Sequence, residues 1–545
     1  MAKLTLGLDY GTNSVRGLLV DVTTGDEVAT AVFPYPTGEA GVWLKADDPH
    51  LARQNPQDYL DGFVAVCQEL GKSVDLSQVV GIGVDTTGSS PMPVAADNSA
   101  LNKDSRFADD LAAFCWLWKD HTGYAEAAEI TYRASEQNLP YLSKCGGTYS
   151  SEWFWSKILR CARVAPDTFA AAASWVEICD WIPAQICGIS DPANIKRSRC
   201  AAGHKAMFEE KWGGLPSAEF LGSLDPRLVP LRDRLYDSVY TSDVVAGMVS
   251  DEYAAKTGLR SGIPVAVGAF DAHFGAVASG AKPGTLVKIV GTSTCDCMVY
   301  PVDQELADVP GMCGVVKGSV LPGFYGLEAG QSAVGDIFNW VSRLTGKSHE
   351  ELTAEALTIE PGESGLLALD WLNGNRTILV DPLLSGMVVG LTLHSKPAEI
   401  YRAMVEATAF GALRIIDRME EYGVKVESVV ACGGIADKSA LTMQIYADVF
   451  GRPVSIAKSE QTCALGSAIF AAVVAGEYES ALDAQAKMSG LKDVVYEPEA
   501  GAHEVYRELY GLYHSVHDSF GIAGSDQGQF YVMKRLKEIQ ESVNG

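Results

Sequence analysis

Residues 4–20 read Leu-Thr-Leu-Gly-Leu-Asp-Tyr-Gly-Thr-Asn-Ser-Val-Arg-Gly-Leu-Leu-Val, and they are the stretch that decides the fold. Two apolar runs flank a polar turn that contains glycine, which is the pattern of a strand, a turn and a returning strand. A third strand is predicted over 28–33, a helix over 56–70 from its apolar spacing, and a buried strand over 79–84. Strands followed by a helix and another buried strand predict an α/β domain.

The second half of the chain repeats this plan. From residue 263 onward the sequence again predicts a strand, a Gly-Thr turn, a strand, a helix and a buried strand. We therefore predict two α/β domains, residues 1–260 and 261–545. The repeated elements are strands at 264–268 and 284–290, a turn at 291–294, a return strand at 298–300, a helix over 397–422 closed by Gly423, and a strand at 426–432.

The composition limits the partners of the chain. Its 545 residues include 69 acidic and 43 basic side chains, which gives a formal net charge of −26. A field of this sign repels phosphate polyanions, so nonspecific binding to nucleic acid or to an anionic membrane is disfavoured. Any bound nucleotide must be held by local donors and a metal ion.

The sequence also predicts a compartment. Asp9 interrupts the N-terminus before the apolar region of a signal peptide is complete, and no apolar run approaches the roughly 18 residues that span a bilayer. The 12 cysteines, spread from Cys67 to Cys463, include no C-x-x-C pair with zinc spacing. We therefore expect a cytoplasmic chain whose cysteines are mostly buried, reduced thiols.

Two turns carry groups that suit phosphate binding. In the turn after Asp9, glycine lets a ligand approach the backbone, hydroxyl and N–H groups donate to phosphate oxygens, and Asp9 can hold Mg²⁺ directly or through water. An ordinary Asx-type hairpin turn is the alternative. The turn at 291–294 has the same donors at the same place in the repeat, so the pair could clamp one phosphate chain from opposite sides. The candidate residues are Gly11, Thr12, Asn13, Ser14, Arg16, Gly291 and Thr292.

Asp271 is the candidate general base. It follows a predicted strand and is flanked by small residues. Phosphoryl transfer to a hydroxyl needs a carboxylate that orients the hydroxyl and accepts its proton, and a strand end where two domains meet is a suitable place for it. A helix N-cap is the alternative at such a junction. His273, two residues further on, is interpreted as a partly buried, hydrogen-bonded histidine.

Small residues late in the chain suggest a nucleotide site. Gly433 and Gly434 link a strand to a helix that starts near Ser439, where bare backbone could lie against a flat ring or a phosphate. A tight turn between strand and helix is the alternative. The small-residue helix that opens at 464–468 could form a wall of an adenine slot or pack closely against a neighbouring element.

These motifs together resemble the FGGY carbohydrate kinases of the actin, sugar-kinase and heat-shock ATPase superfamily. Asp9-x-Gly11-Thr12-x-x-x-Arg16 is similar to the first phosphate motif of that family and Gly291-Thr292-Ser293 to the second. Gly433-Gly434, with its following helix, resembles the adenosine motif, and Gly268-x-x-Asp271-x-x-x-Gly275 resembles the segment that carries the catalytic base. The motifs lie in order across nearly the whole chain.

The resemblance implies a fold and a reaction. It implies two actin-like (ribonuclease H-like) α/β domains with an interdomain cleft, where ATP and Mg²⁺ lie between domains that close on a sugar. The segments 84–89, 203–205 and 326–332 are most similar to the members that phosphorylate L-ribulose. The resemblance implies a ketopentose site made by Asp85, Trp118, Lys205, Asp271 and Glu328, a nucleotide site that also includes Gly335, Asn339 and Lys438, and Mg²⁺ ligands at Asp9 and Asp271.

The residues leave alternatives open. Without the resemblance, Lys205 reads as a surface lysine, Glu328 as an N-cap, and the Trp-rich stretches 116–118 and 153–155 as core packing. The sugar could be D-ribulose, xylulose or a pentitol instead of L-ribulose. A different class of function, an ATP-driven switch or a sugar sensor, is also compatible with such a fold. A homodimer is a candidate assembly.

Overall fold

Two seven-stranded sheets organise the molecule, one in each half of the chain. The computed structural model describes residues 3–524, 528–530 and 533–534. None of the helices in those ranges combines the length and the apolar character needed to cross a membrane. All 12 cysteines lie in those ranges and are free thiols, and nine of them are buried, as the sequence predicts.

The first half contains fourteen strands and ten helices within the described residues. The strands are β1 (Leu4–Tyr10), β2 (Ser14–Asp21), β3 (Glu27–Pro34), β4 (Trp43–Lys45), β5 (Asp48–Gln54), β6 (Val79–Thr86), β7 (Pro91–Val94), β8 (Cys115–Trp116), β9 (Ser174–Glu177), β10 (Arg197–Ser198), β11 (Val239–Tyr240), β12 (Val245–Met248), β13 (Pro264–Ala266) and β14 (Ala269–Phe270). The helices are α1 (Pro56–Leu70), α2 (Tyr124–Glu136), α3 (Phe154–Val164), α4 (Pro166–Ala171), α5 (Ile178–Ile186), α6 (Arg199–Lys205), α7 (Ala218–Leu224), α8 (Leu228–Arg232), α9 (Asp251–Thr257) and α10 (Asp271–Ala278).

The second half contains nine strands and eight helices, again within the described residues. The strands are β15 (Thr285–Val290), β16 (Thr294–Pro301), β17 (Gly314–Lys317), β18 (Phe324–Ala329), β19 (Leu367–Leu369), β20 (Met387–Val389), β21 (Ser428–Cys432), β22 (Val454–Ala457) and β23 (Leu491–Tyr496). The helices are α11 (Gly335–Thr345), α12 (His349–Ala356), α13 (Pro397–Glu421), α14 (Gly434–Lys438), α15 (Ala440–Phe450), α16 (Thr462–Val474), α17 (Ala481–Met488) and α18 (Ala500–Gly521).

The repeat predicted from the sequence is present in the sheets, except that the strand predicted at 264–268 as part of the second repeat lies in the first sheet, where β13 pairs with β12 and β6. In the first sheet β1 pairs antiparallel with β2 and parallel with β6, and in the second β15 pairs antiparallel with β16 and parallel with β21. The strand order is β12-β13-β6-β1-β2-β3 in the first sheet, with β14 also on β6, and β17-β18-β16-β15-β21-β22-β23 in the second. Because each Gly-Thr turn joins the first two strands of its repeat, both turns lie at equivalent sheet ends.

The helix α16 crosses back onto the first sheet. Glycines on β1 and β6 leave room for it, because a Cβ at Gly7 would overlap the carbonyl of Ala464 and a Cβ at Gly83 would overlap that of Ser467. On its other side α16 packs against α10. Of the two interpretations of this small-residue helix, close packing fits its position. The helix α16 contributes no residue to the cavity described below.

A separate aromatic core lies in the first half of the chain. It lies between α2, α3, α7 and α8, and its buried side chains include Trp116, Trp155 and Trp175. The core interpretation of the Trp-rich stretches is confirmed for Trp116 and Trp155. Trp118 is only half-buried, because it points out of this core toward the turn after β1.

We expect Gly83→Ala to destabilise the protein, because its methyl group would collide with the backbone of α16. The predicted loss is about 3 kcal/mol of unfolding free energy, at the upper end for overpacking. Gly511→Ala is the matched control, since Gly511 lies in α18 with open space around it. That change should stabilise the helix by about 0.5–1 kcal/mol. Urea denaturation followed by circular dichroism measures both, and equal midpoints for the two variants would contradict the proposed contact.

Candidate active site

Three aspartates meet at the carboxyl ends of β1, β6 and β14. Asp9 and Asp85 are opposite each other in the parallel pairing of β1 with β6, and Asp271 directly follows β14, which pairs with the end of β6. Carboxylate oxygens of Asp9 and Asp85 lie within 4.8 Å of each other and of Cys463 Sγ. Ser467 of α16 donates from Oγ to Asp85 Oδ2 at 2.7 Å.

Burial and mutual repulsion shape the charge of this cluster. Burial raises the pKa of Asp271 to about 7, and the negative charge of Asp9 adds to the shift. Burial, followed by the charge of Asp9, also raises the pKa of Asp85 well above its usual range. Asp85 Oδ1 is buried and has no hydrogen-bond partner among the described residues. An unpartnered carboxylate oxygen among hard oxygen donors fits a divalent cation such as Mg²⁺.

Asp271 is the first residue of α10 and not its N-cap. The N-cap position belongs to Phe270, which makes no side-chain cap bond. Asp271 Oδ1 instead accepts from the backbone N–H of Ala272 at 2.7 Å. The N-cap alternative is therefore wrong, and the second carboxylate oxygen has no protein donor among the described residues. This leaves Asp271 able to accept a further hydrogen bond.

In each Gly-Thr turn the glycine N–H donates to a carbonyl of the same turn, three residues on in the first turn and two residues on in the second. The N–H of Gly11 donates to the carbonyl of Ser14 at 3.0 Å, and the N–H of Gly291 donates to that of Ser293 at 2.9 Å. Trp118 Nε1 donates to Thr12 Oγ1 at 3.0 Å, which links a residue predicted at the sugar site to the first turn. Of the other candidate residues of the first turn, Ser14 is half-buried, and Asn13 and Arg16 are exposed.

A cavity of about 600 Å³ lies beside the second turn. Six of the predicted nucleotide residues line it. Gly335 is tied to the turn, because its N–H donates to the carbonyl of Gly291 at 3.1 Å and a Cβ there would lie 2.7 Å from the same oxygen. Gly433 precedes this wall with φ of 92°, a backbone conformation that favours glycine. The six residues are Gly291, Thr292, Gly335, Asn339, Gly434 and Lys438.

The sequence does not predict the other residues that line this cavity. Phe338 and Tyr401 bring two aromatic rings, whose centroids lie 5.7 Å apart, and Ile435 adds an apolar side chain. His349 Nε2 lies 2.8 Å from Asn339 Oδ1. Phe338 belongs to the helical face of α11 that also carries Gly335 and Asn339, so the predicted glycine and asparagine could have indicated it. Tyr401 comes from the distant α13 and has no local signal.

Lys205 and Glu328 form a buried ion pair. Lys205 Nζ donates to Glu328 Oε1 at 2.8 Å, and Lys205 is only 4% exposed. Its ammonium also lies 5.2 Å from the ring centroid of Trp153 and 5.7 Å from that of Phe270. The surface-lysine alternative is therefore wrong, and so is the N-cap alternative for Glu328, which lies within β18.

The charges of this pair depend on each other. Burial opposes both charges, but the attraction between them lowers the pKa of Glu328 and raises the pKa of Lys205. Both side chains also change the pKa of Asp271, although less than Asp9 does. Glu328 raises this pKa and Lys205 lowers it. The pKa of Asp271 thus responds both to the carboxylate of Asp9 and to the neutralised Lys205–Glu328 ion pair.

Lys157 is a buried support that the sequence did not indicate. Its ammonium donates to the carbonyls of Ser89 and Leu117, at 2.7 Å and 2.8 Å. Ser89 lies in the loop that follows β6, and Leu117 directly precedes Trp118. Burial lowers the pKa of Lys157, and the nearby carboxylate of Glu177 opposes that shift. Lys157 therefore holds the loop with Trp118 close to the loop that follows β6.

A second depression, of about 730 Å³, lies on the outside of the first half between α1 and α9. It contains none of the predicted site residues. The candidate chemistry is therefore assigned to the aspartates, the turns and the Lys205–Glu328 pair.

Known proteins match this chain along nearly all of its length. A ribulokinase from Vibrio parahaemolyticus is 41% identical over 536 residues, which cover 93% of this chain and 94% of that protein. A ribulokinase from Shouchella clausii is 40% identical over 570 residues, which cover 100% and 99%.

Solved structures share the architecture at lower identity. A xylulose kinase from Lactobacillus acidophilus has a TM-score of 0.80 at 20% identity, over 96% of this chain and 99% of that chain. A glycerol kinase from Plasmodium falciparum with ADP has a TM-score of 0.78 at 14% identity, over 94% and 98%. At these identities the likeness shows the fold, and the predicted pair of actin-like, ribonuclease H-like domains is confirmed.

Family models match both halves. Residues 4–278 match the N-terminal domain of the FGGY family of carbohydrate kinases, and residues 286–475 match its C-terminal domain. The chain belongs to the FGGY family of carbohydrate kinases.

Proposed function

We propose that this chain transfers the terminal phosphoryl group of ATP to the terminal hydroxyl of L-ribulose and forms L-ribulose 5-phosphate. As a carbohydrate kinase it takes a sugar and ATP as substrates. The choice of ribulose is supported by the relatives at 40–41% identity that carry the name ribulokinase. The observation that carries the reaction is Asp271, a half-buried carboxylate with a free oxygen, whose pKa is shifted by Asp9, Glu328 and Lys205.

Asp271 acts as the general base in this proposal. The attacking sugar hydroxyl donates its hydrogen bond to the carboxylate and loses its proton to it as the oxygen bonds to phosphorus. A base works best when its pKa lies near the working pH, and burial raises that of Asp271 to about 7. Lys205 and Glu328 bind the other hydroxyls, since a charged donor and a charged acceptor form the strongest hydrogen bonds to them. Trp118, anchored by its indole N–H on Thr12, offers an aromatic face to the sugar C–H groups.

ATP occupies the cavity of about 600 Å³ and the two turns. The adenine ring of ATP fits between the aromatic side chains of Phe338 and Tyr401 and the bare backbone at Gly434. The turns at Gly11 and Gly291 supply N–H and hydroxyl donors for the phosphates from both domains. The net charge of −26 disfavours long-range attraction of phosphates, so these local donors take that role.

Asp9 and Asp85 would hold Mg²⁺ in the proposed site, next to Asp271. The buried, unpartnered Oδ1 of Asp85 supports this assignment, which revises the sugar-binding role predicted for that residue. When bound, the ion neutralises charge on the phosphate oxygens. Ser467 keeps Asp85 oriented by its hydrogen bond to Oδ2.

The twelve free thiols support a reducing, cytoplasmic location for the enzyme. The domain boundary near residue 260 and the homodimer stay predictions. Limited proteolysis checks the boundary and light scattering checks the assembly.

Asp271→Asn should lower turnover by about 10²- to 10⁴-fold, because the amide keeps the shape but cannot accept the proton. Calorimetry should show little change in the binding of ATP or L-ribulose. Asp109→Asn, at an exposed aspartate, is the matched control and should keep full activity. A coupled ADP-release assay measures both variants, and more than about a tenth of wild-type turnover in Asp271→Asn removes it as the base.

The same assay with D-ribulose, xylulose and pentitols identifies the sugar, and ATP hydrolysis without any sugar acceptor would favour a switch.

The rate should depend on pH through Asp271. The base works only when ionised, so kcat/KM for L-ribulose should fall about tenfold per pH unit below its pKa and level off above it. Burial raises that pKa to about 7 and a cation bound beside Asp271 lowers it, so in the presence of Mg²⁺ and ATP the break should lie at or below the neutral range. Rates measured from about pH 5 to pH 9 check this. A profile without a break, or one that persists in Asp271→Asn, contradicts the assignment.

Lys205→Met should weaken L-ribulose binding by about 10- to 100-fold, because a charged hydrogen bond is lost and Glu328 is left unpaired. ATP affinity should hold, since the turns bind the phosphates. Lys211→Met, at an exposed lysine nearby in the sequence, is the matched control. Calorimetry with each ligand separates the two affinities. If ATP binding falls while sugar binding holds, Lys205 belongs to the phosphate site.

A further inference from the structure

A buried ion pair lies on the hairpin that carries the second Gly-Thr turn. Lys288 of β15 and Asp296 of β16 are opposite each other, as the third residue pair from the turn. Lys288 Nζ donates to Asp296 Oδ1 at 2.9 Å and to Asp296 Oδ2 at 3.0 Å, and both residues are fully buried. It also donates to Gln331 Oε1 at 3.0 Å. The three N–H bonds of the ammonium are thus all used inside the protein, and none is left for a ligand.

The first repeat shows that such a hairpin folds without this ion pair. There the third residue pair from the turn is Leu8 and Gly17, which carry no charge. Replacing a buried ion pair by apolar residues is often neutral for stability or even stabilising. The stability of the hairpin therefore does not account for Lys288 and Asp296.

Gln331 connects the ion pair to the second turn. Its backbone N–H donates to Thr294 Oγ1 at 2.9 Å, and its carbonyl accepts from the N–H of Thr294 at 3.1 Å. Its Nε2 donates to Asp370 Oδ2 and to the carbonyl of Thr408, both at 2.8 Å. Because Lys288 holds Oε1, both polar atoms of this buried side chain are bonded. The side chain therefore fixes the place of Gln331, and the backbone of Gln331 fixes Thr294.

The segment after Gln331 binds the carbonyls of the second turn. The N–H of Val334 donates to the carbonyl of Thr292 at 2.8 Å. The N–H of Gly335 donates to the carbonyl of Gly291 at 3.1 Å. The N–H groups of Thr292 and Ser293 make no hydrogen bond within the part of the chain that the structure describes. The carbonyls are thus engaged with the protein, while these two N–H groups stay free to donate to a phosphate.

We propose that Lys288 and Gln331 are positioning residues for the phosphates of ATP, because they hold the second turn with its free N–H groups ready for phosphate oxygens. This inference rests on the proposed binding of ATP at that turn. Both side chains are buried and bonded within the protein, so they act through the backbone of Thr294 and do not touch the phosphates. Donors that are already in place need no reorganisation when the charged ligand binds.

Gln331→Met tests this role in the full-length protein. Methionine keeps the volume but cannot bond to Lys288, Asp370 or Thr408, so the turn loses its fixed position. Calorimetry should show MgATP binding weakened by about 10- to 100-fold, since a misplacement of about 1 Å has effects of this size. Adenosine has no phosphates and should bind as it does to the wild type. Unchanged MgATP binding overturns the inference, and so does an equal weakening of both ligands, which would indicate a general distortion of the domain.

The double variant Lys288→Met/Asp296→Val separates positioning from stability. It puts apolar residues of similar volume where the first repeat also has uncharged residues. The free energy of unfolding in urea should therefore stay equal or rise. MgATP binding should still weaken relative to adenosine binding, because Gln331 loses the ammonium that holds its Oε1. Wild-type MgATP affinity overturns the inference, and a large loss of stability also overturns it by assigning the pair to the core.

Arg414→Met is the matched control. Arg414 is another buried cation of the second half, and its Nη1 lies 3.7 Å from Asp417 Oδ2. It lies about 20 Å along α13 from Tyr401, which lines the cavity proposed for ATP. Its MgATP and adenosine affinities should equal those of the wild type, and a loss of MgATP affinity as large as in Gln331→Met overturns the inference.

These measurements are independent of the sugar. None of them uses L-ribulose, so a wrong assignment of the sugar leaves their outcome unaffected. Wild-type protein that binds no MgATP overturns both the proposed function and this inference. Wild-type protein that binds MgATP, with variants that bind it equally well, overturns this inference alone.

Discussion

The close approach of α16 to the first sheet is the constraint on which the rest of the molecule depends. Gly7, Gly81 and Gly83 present bare backbone to the helix, and a Cβ at any of them would overlap a carbonyl of α16. The helix can lie this close because the strands carry glycine and the helix carries small residues at the contact. Ser467 then reaches Asp85, and Cys463 lies beside Asp9. A segment more than 370 residues away in sequence thus forms one wall of the aspartate cluster.

Local patterns were sufficient to predict the frame of the fold and part of the site. The alternation of apolar residues around the Gly-Thr turns predicts β1, β2, β15 and β16, and Asp271 follows from its place after a strand. The position of Asp85 beside Asp9 comes from the parallel register of β1 and β6, which no local pattern contains. Lys157 and Tyr401 likewise depend on contacts between segments far apart in sequence.

Charge is distributed unevenly along the site. At the proposed sugar end the ammonium of Lys205 compensates Glu328, so both groups stay ionised although Lys205 is buried and Glu328 half-buried. At the phosphate end Asp9, Asp85 and Asp271 repel one another, and burial raises the pKa of each. Arg16 offsets only part of the charge of Asp9, and closely spaced carboxylates attract a cation. The same end that repels phosphate in the free protein therefore becomes suited to it when a divalent ion is present.

Helix α10 joins these two ends. Its first residue, Asp271, belongs to the aspartate cluster, and His273 two residues later contacts Glu328. Because neighbouring charges shift the proton affinity of Asp271, a change in the charge around Glu328 is felt at the proposed base. The proton affinity of the proposed base thus depends on what occupies the sugar end of the cleft.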